Sequence, residues 1–566
     1  MSHGVRGGGR LPFWSWLAAG WAYFGAADVD ARLLPKVTAR TVVTDSVRPP
    51  GLPTDAQLES AGARVGAIHF VKRQLFDAGS GDEDAALFDL ANRLHVQTRE
   101  ATLSDQLLFK TGDIYQGRLL AESARILRST RYLRDAQIRP VTYQNGVVDV
   151  EVVSQDVWTL NPGISFGRQG GKNSSGFKLE ELNVFGLGTQ LGVGYKSSVD
   201  RDSKTIFYRD KQLGSSWWDL SARYSDNSDG RLASLALERP FYALNVRWAA
   251  GVMLGDDRRI DSRYDLGQIV DQFETQQRQA TIYAGFSSGL RAGRTLRWRV
   301  GASFDDAAYA ATTGAMPTRL LPQSRRWVYP WAEAEWLGDE FVTERNRDQI
   351  EKTEDISLGW HVRTRLGIAS PALGADRTAI LWTLAASKGR LISARQTLLA
   401  DWSATGRIEK GKVIGSLTSF ESRYYFRQSP RRLLFATLNA QWGLNLDASQ
   451  QILLGGDNGL RGYPLRYQSG TGRWLLTAEQ RFFTNWYPFQ LVNVGGAVFY
   501  DMGKSWGRDP LGASSRGLLK DIGFGLRLGN SRSALGNVLH IDVALPLDRG
   551  AGIKSLQFLV ETKRRF

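Results

Sequence analysis

From Trp158 to Phe566 the chain reads as strand after strand, with turn residues between, and nothing in that stretch reads as a membrane helix. This constrains the fold more than any other feature. Mean hydropathy is −0.29, and no window after the N-terminus approaches the ~20 apolar residues a spanning helix needs. Lipid tolerates only helices and closed sheets, because every backbone polar group must find its partner within the protein. If such a chain enters a membrane, it does so as a β-barrel. Its 60 glycines and 18 tryptophans suit a barrel with aromatic girdles at the two interfaces.

Composition excludes several chemistries. Cysteine is absent, so disulfides and thiolate metal sites are excluded. The five histidines form neither HExxH nor an i,i+4 pair, so a histidine zinc site is unsupported. Gly171-Lys172-Asn173-Ser174 lacks phosphate-loop spacing. Gly285-Phe286-Ser287-Ser288-Gly289 fits G-x-S-x-G, but that chemistry needs a strand-turn-helix elbow, and here a strand resumes at Thr295. A surface hydrolase resting on Ser287 is the weakest functional reading. His540 and Asp542 share one face of a strand and read as a wall pair. The net charge of +15 is spread along strands and loops with no nucleic-acid module. Lumen arginines and anionic lipid phosphates account for it better than nucleic acid. No catalytic residue, cofactor or metal is expected.

The N-terminal part divides in three. Residues 1–27 read as a signal peptide, with Arg6 and Arg10 before an apolar core from Leu11 to Ala22 and small residues at Gly25-Ala26-Ala27. Residues 28–63 read as a linker, with Pro49-Pro50-Gly51-Leu52-Pro53 unable to hold regular hydrogen bonding. Residues 64–156 read as a small α+β domain. A strand from Val65 to Phe76 precedes helices at Ala85–Leu94 and Leu119–Leu127. Strands Gln137–Tyr143 and Val147–Val153 then pair across Asn145-Gly146. Residues 157–566 are the expected barrel.

One loop stands out. Gly455-Gly456-Asp457-Asn458-Gly459-Leu460-Arg461-Gly462-Tyr463-Pro464 holds an arginine among glycines between two amphipathic strands. Such a loop leaves the arginine solvated, or folds inward and pairs it with a carboxylate. Glycines permit close approach, and the planar guanidinium favours a bidentate partner.

The tetrad Leu460-Arg461-Gly462-Tyr463 resembles the (V/L)-R-G-(F/Y) motif of the BamA/TamA superfamily of outer-membrane proteins, which is related to the two-partner secretion transporters. Thr477-Ala478-Glu479-Gln480-Arg481-Phe482 and Val498-Phe499-Tyr500-Asp501-Met502-Gly503 resemble its next two strands. Asn183-Val184-Phe185-Gly186-Leu187-Gly188 resembles one of its turns. Gly112-Asp113-Ile114-Tyr115 and Leu127-Arg128-Ser129-Thr130-Arg131-Tyr132-Leu133 resemble segments of its POTRA domain. The resemblance implies a transmembrane antiparallel barrel of sixteen strands preceded by one small α+β POTRA domain in the periplasm. Eleven strands would precede the arginine loop and five would follow, near 473–486, 490–503, 517–530, 534–546 and 554–566. It implies that Arg461, Gly462 and Tyr463 meet Glu479, Phe499, Asp501 and Gly503 in the lumen, bracing the wall opposite the junction of first and last strands. The implied function is insertion or export of client polypeptides at the bacterial outer membrane, in contact with its lipid and lipopolysaccharide. A passive porin-like channel is the alternative reading.

Overall fold

The computed structural model describes residues 48–73, 95–312, 318–350, 353–488, 492–512, 517–529, 538–550 and 552–563. The expected signal peptide, the helix at Ala85–Leu94 and the terminal Phe566 lie outside them.

Period-two patterning builds the wall. In the strand Gln268–Arg291, buried and exposed positions alternate along most of its length. Ile282 and Phe286 face outward and are more than half exposed, while Gln277, Gln279 and Thr281 are buried inward. Successive side chains point to opposite faces of a sheet, so this sequence makes an apolar exterior and a polar interior. Soluble proteins seldom expose contiguous apolar surface on this scale. It is the wall that a lipid solvent requires. Exposed tryptophans stand near both ends, with Trp248 and Trp298 at one and Trp442 and Trp506 at the other.

Among the described residues, the sheet closes on itself with twenty antiparallel strands, from Leu160–Gln169 to Gln557–Lys563. The expected count of sixteen is corrected by this closure. Five strands follow the arginine loop: Gly472–Phe483, Asn493–Trp506, Leu519–Gly529, Val538–Pro546 and Gln557–Lys563. Fifteen precede it, rather than eleven. The difference is one of strand length. Asp202–Asp210, Asp219–Asn227 and Gly230–Arg239 have nine or ten residues each. A tilted strand of about that length crosses an apolar band of ~25 Å, so the same residues make more and shorter strands than expected.

The described residues between Arg64 and Asp156 include a separate three-stranded sheet. Its central strand, Val147–Asp156, runs parallel to Arg64–Arg73 and antiparallel to Leu133–Gln144. Asn145 and Gly146 make the hairpin turn with both φ positive, the type I′ geometry that matches strand twist. The helix Gly117–Arg128 buries Leu120, Ala124 and Leu127. The other helix within this unit's described residues is the single turn Glu100–Ser104. A POTRA domain is not evident from these elements, and that part of the expected fold class is corrected to a small α+β unit.

This unit sits on one mouth of the barrel, called here the near mouth. Glu122 accepts from the Leu244 amide at 2.8 Å, and Arg99 Nε donates to the Phe185 carbonyl at 2.9 Å. Arg128 makes two 2.7 Å bonds to Asp355. Asp355 lies on a two-stranded hairpin, Phe341–Arg345 with Thr353–Ser357, inserted between barrel strands.

A closed barrel holds its ladder bonds internally. The purified chain is therefore expected to resist sodium dodecyl sulfate until boiled, and to shift mobility on boiling. Identical mobility before and after boiling would contradict closure.

Candidate functional site

The loop of residues 445–471 leaves the far mouth and turns into the barrel. A short ladder pairs Ile452–Leu454 with Gln468–Gly470. Leu454, Leu460 and Tyr463 are fully buried and pack with Leu475 and Leu519 of the wall. The apolar residues on both sides of Arg461 thus anchor the loop and carry the arginine into the interior. At Gly462 any Cβ would stand 2.7 Å from Asp521 Cβ and 3.0 Å from Pro546 N, so only glycine allows this approach. The Tyr463 hydroxyl lies 2.9 Å from an Asp548 carboxylate oxygen and accepts from the Lys520 amide at 3.0 Å.

Arg461 is 4% exposed. Its Nε and Nη2 donate to the two oxygens of Asp501 at 2.7 and 3.0 Å, and its Nη1 donates to Glu479 at 3.0 Å. The guanidinium carbon lies 3.2 Å from the centroid of the Phe499 ring. Thr477 Oγ1 donates to Asp501 at 2.7 Å. Asp542 lies 3.6 Å from Arg461 Nη1. A charge so deep is tolerated only when paired and hydrogen-bonded, and the fork geometry satisfies both conditions. Gly503 stands opposite Leu475 and Leu519 in the ladder.

The network extends to residues that the sequence reading did not single out. Arg481 Nε donates to Glu479 at 3.1 Å, and Arg527 Nη2 reaches Glu479 at 3.4 Å. Arg527 also donates to Asp542. Arg481 Nη1 donates to the Arg347 carbonyl at 3.1 Å. Arg347 belongs to the tip of the near-mouth hairpin, and Ile350 beside it packs among Tyr425, Phe435, Phe483 and Val538. Polar contacts therefore run from the far-mouth loop through Arg461, Glu479 and Arg481 to a segment entering from the near mouth. A signal for the hairpin was present. Two strand-like stretches flank polar Asn346-Arg347-Asp348 where a tight turn would have sufficed.

A second arginine in the loop holds the other side. Arg466 makes a two-pronged contact with Asp200 at 2.7 and 2.8 Å. Asp200 lies in the turn between Thr189–Ser197 and Asp202–Asp210, the third and fourth barrel strands. Gly170, in the first barrel hairpin, is pressed against the loop, where a Cβ would stand 2.4 Å from Leu465 N. Glu479, Asp501 and Asp542 lie on the closing strands. The loop thus lies across the junction of first and last strands, correcting the expectation that it braces the opposite wall.

Other candidates have ordinary roles. Ser287 sits within a continuous strand, with its hydroxyl donating to the Leu296 carbonyl at 2.8 Å. His540, Asp542 and Glu561 bring potential ligand atoms within 4.8 Å of one another. Asp542 is held by Arg527 and faces Arg461, and two guanidinium groups oppose a cation there.

No family model matches the chain, and no curated protein matches it. Among solved structures it is similar to CdiB from Escherichia coli, with 13% identity, 89% of this chain and 76% of that chain covered, and a TM-score of 0.46. It is similar to CdiB from Acinetobacter baumannii at 12% identity, covering 89% and 73%, with a TM-score of 0.42. A BamA from Haemophilus ducreyi lacking POTRA domains 1–3 gives 12% identity, 88% and 84% coverage, and 0.37. Likenesses this distant carry no functional argument.

Two outcomes follow from the geometry. Arg461→Ala strands buried carboxylates and is expected to destabilise the barrel by about 3–5 kcal/mol, measured by equilibrium unfolding in detergent. Arg461→Lys recovers part of the loss, since an ammonium cannot form the fork. Unchanged unfolding of Arg461→Ala would contradict the pairing.

At the hairpin tip, Glu354 accepts from the amides of Arg347, Asp348 and Gln349 at 3.1–3.2 Å. Burial beside Asp348 pushes its carboxyl up to about 7. A raised folded-state pKa adds stability below the ordinary carboxylate range, and this is lost as pH rises through 7. Tip amides should lose hydrogen-exchange protection between pH 5 and 8, after correction for intrinsic rates, and Glu354→Gln should abolish that dependence. A tip equally protected at both pH values would contradict it.

Proposed function

We propose that this chain is a bacterial outer-membrane barrel that passes or inserts polypeptides by opening between its first and last strands. The observation that carries the reading is the seam. Among the described residues, Leu160–Gln169 and Gln557–Lys563 meet in register only at Val560 and Arg168. A side-chain bond from Gln169 to Glu561 adds to it. Elsewhere in the barrel, neighbouring strands are registered over most of their shared length, as where Trp248–Asp265 meets Gln268–Arg291.

An open seam presents unpaired N–H and C=O groups, and an extended client strand satisfies them by adding to the edge. The apolar exterior beside the seam gives a new strand direct access to lipid. The strap formed by residues 445–471 has anchors on both sides, Arg461 toward the closing strands and Arg466 toward the opening ones. Bonded to both sides of the junction, it resists parting of the wall, so opening requires at least one anchor to release. The sequence resemblance of the tetrad and its two partner strands supports the same reading. No covalent bond is made or broken in this process, so no catalytic group is called for.

The chain has no cysteine, which makes a staple clean to test. Directly opposed residues in a ladder lie near disulfide spacing. Arg168→Cys with Val560→Cys is expected to lock the seam under oxidation, abolish photocrosslinks from the seam strands to clients in cells, and regain them with reductant. Client crosslinking that persists in the locked barrel would reject a lateral route. Steady conductance without client crosslinks in the unlocked barrel would favour a passive channel.

A further inference from the structure

The outward wall carries a feature that the polypeptide route does not use. On Gly230–Arg239, Trp248–Asp265 and Gln268–Arg291, the outward positions are apolar around Leu235, Leu254 and Ile282, then turn charged toward the far mouth. The ladder sets Arg258 opposite Arg231 and Gln276, and Arg278 opposite Asp256. Arg258 and Arg278 are both exposed. With the Gln276 amide turned to accept, an orientation chosen by its partners, its oxygen receives Arg278 at 3.0 and 3.2 Å and Arg258 at 3.1 Å. Two guanidinium groups therefore converge on one neutral oxygen. Two carboxylates stand opposite Arg278, and each faces another arginine: Asp256 is engaged by Arg231 at 2.9 Å, and Asp306 lies 3.4 Å from Arg326. Like charges held this close are stabilised by an anion between them.

Beside the pair, the outer surface is concave. A groove of about 760 Å³ runs along Leu191, Ile206, Tyr224, Leu235 and Leu254. Asp256 and Arg278 also line it. The height fits an interface. Arg258 lies ten residues along its strand from the exposed Trp248. At ~3.3 Å per residue and a tilt of ~40°, that spans about 25 Å along the barrel axis, the height of a barrel's apolar band. Trp248 and Arg258 thus mark the two edges of that band.

We propose that the groove and the Arg258–Arg278 pair bind a phosphorylated lipid of the surrounding membrane, with an acyl chain along the groove and the phosphate on the paired guanidinium groups. The inference rests on the reading of the barrel as membrane-spanning. A lipid fits better than a soluble anion because the apolar groove continues from the basic pair on the face turned to hydrocarbon. Arginine suits the headgroup because its planar fork matches phosphate oxygens.

The test uses the full chain in phosphatidylcholine nanodiscs doped with lipid A or its dephosphorylated form, with bound lipid counted by native mass spectrometry. The wild type is expected to retain the phosphorylated form preferentially. Arg258→Gln with Arg278→Gln is expected to weaken retention roughly tenfold or more, the scale set by two charges at a membrane surface. Arg294→Gln, near the opposite rim, is expected to leave retention unchanged. Equal retention of the two lipid forms by the wild type overturns the proposal without recourse to any variant, as does equal retention by wild type and double variant. Displacement by millimolar inorganic phosphate alone reassigns the pair to a soluble anion and overturns the lipid assignment. A chain that fails to enter nanodiscs as a heat-modifiable barrel overturns the membrane reading itself, whereas entry without phosphate preference overturns only this site.

Discussion

A guanidinium buried inside a barrel needs carboxylates, and Arg461 determines much of what surrounds it. Asp501 takes two of its N–H groups and Glu479 a third. Those carboxylates in turn draw in Arg481, Arg527 and Thr477. Three arginines, Arg461, Arg481 and Arg527, face Glu479, Asp501 and Asp542, and removing any member leaves a buried partner without its contact.

The strap links elements that the chain order separates. Arg461 and Tyr463 hold the closing strands, while Arg466 reaches Asp200 beyond the seam. A barrel whose ends are joined in register at Val560 and Arg168 relies on such an internal tie for part of its closure. From the other mouth, the hairpin tip meets Arg481 through the Arg347 carbonyl, and Asp355, midway along its second strand, is tied to Arg128 of the α+β unit. A displacement of that unit has a physical route to Glu479, and from there to the strap.

The parts legible in the sequence are those governed by local pattern. Period-two alternation and turn residues located the five strands after the loop. The Asn145-Gly146 pair located the hairpin of the small unit. Glycines with an arginine and flanking apolar residues picked out the strap. What stayed hidden depends on long-range geometry. Strand number follows from how few residues cross the wall, and runs such as Asp219–Asn227 and Gly230–Arg239, joined by a two-residue turn, give no local mark of that economy. Arg466 and Asp200 are far apart in sequence, as are Arg481 and Arg347, and charged residues in loops look alike until closure brings them together. In sequence, Asp256-Asp257-Arg258-Arg259 reads as a solvated loop, and only the register of its strand with Gln268–Arg291 sets Arg258 beside Arg278.

We propose that the strap holds the seam shut. Spin labels placed at Arg168→Cys and Val560→Cys in the reduced, otherwise cysteine-free chain report the seam directly by their distance distribution in nanodiscs. A narrow short distance is predicted for the intact strap, with a second, longer population when Arg461→Ala or Arg466→Ala is added. The same narrow distribution with and without the two arginines would contradict it.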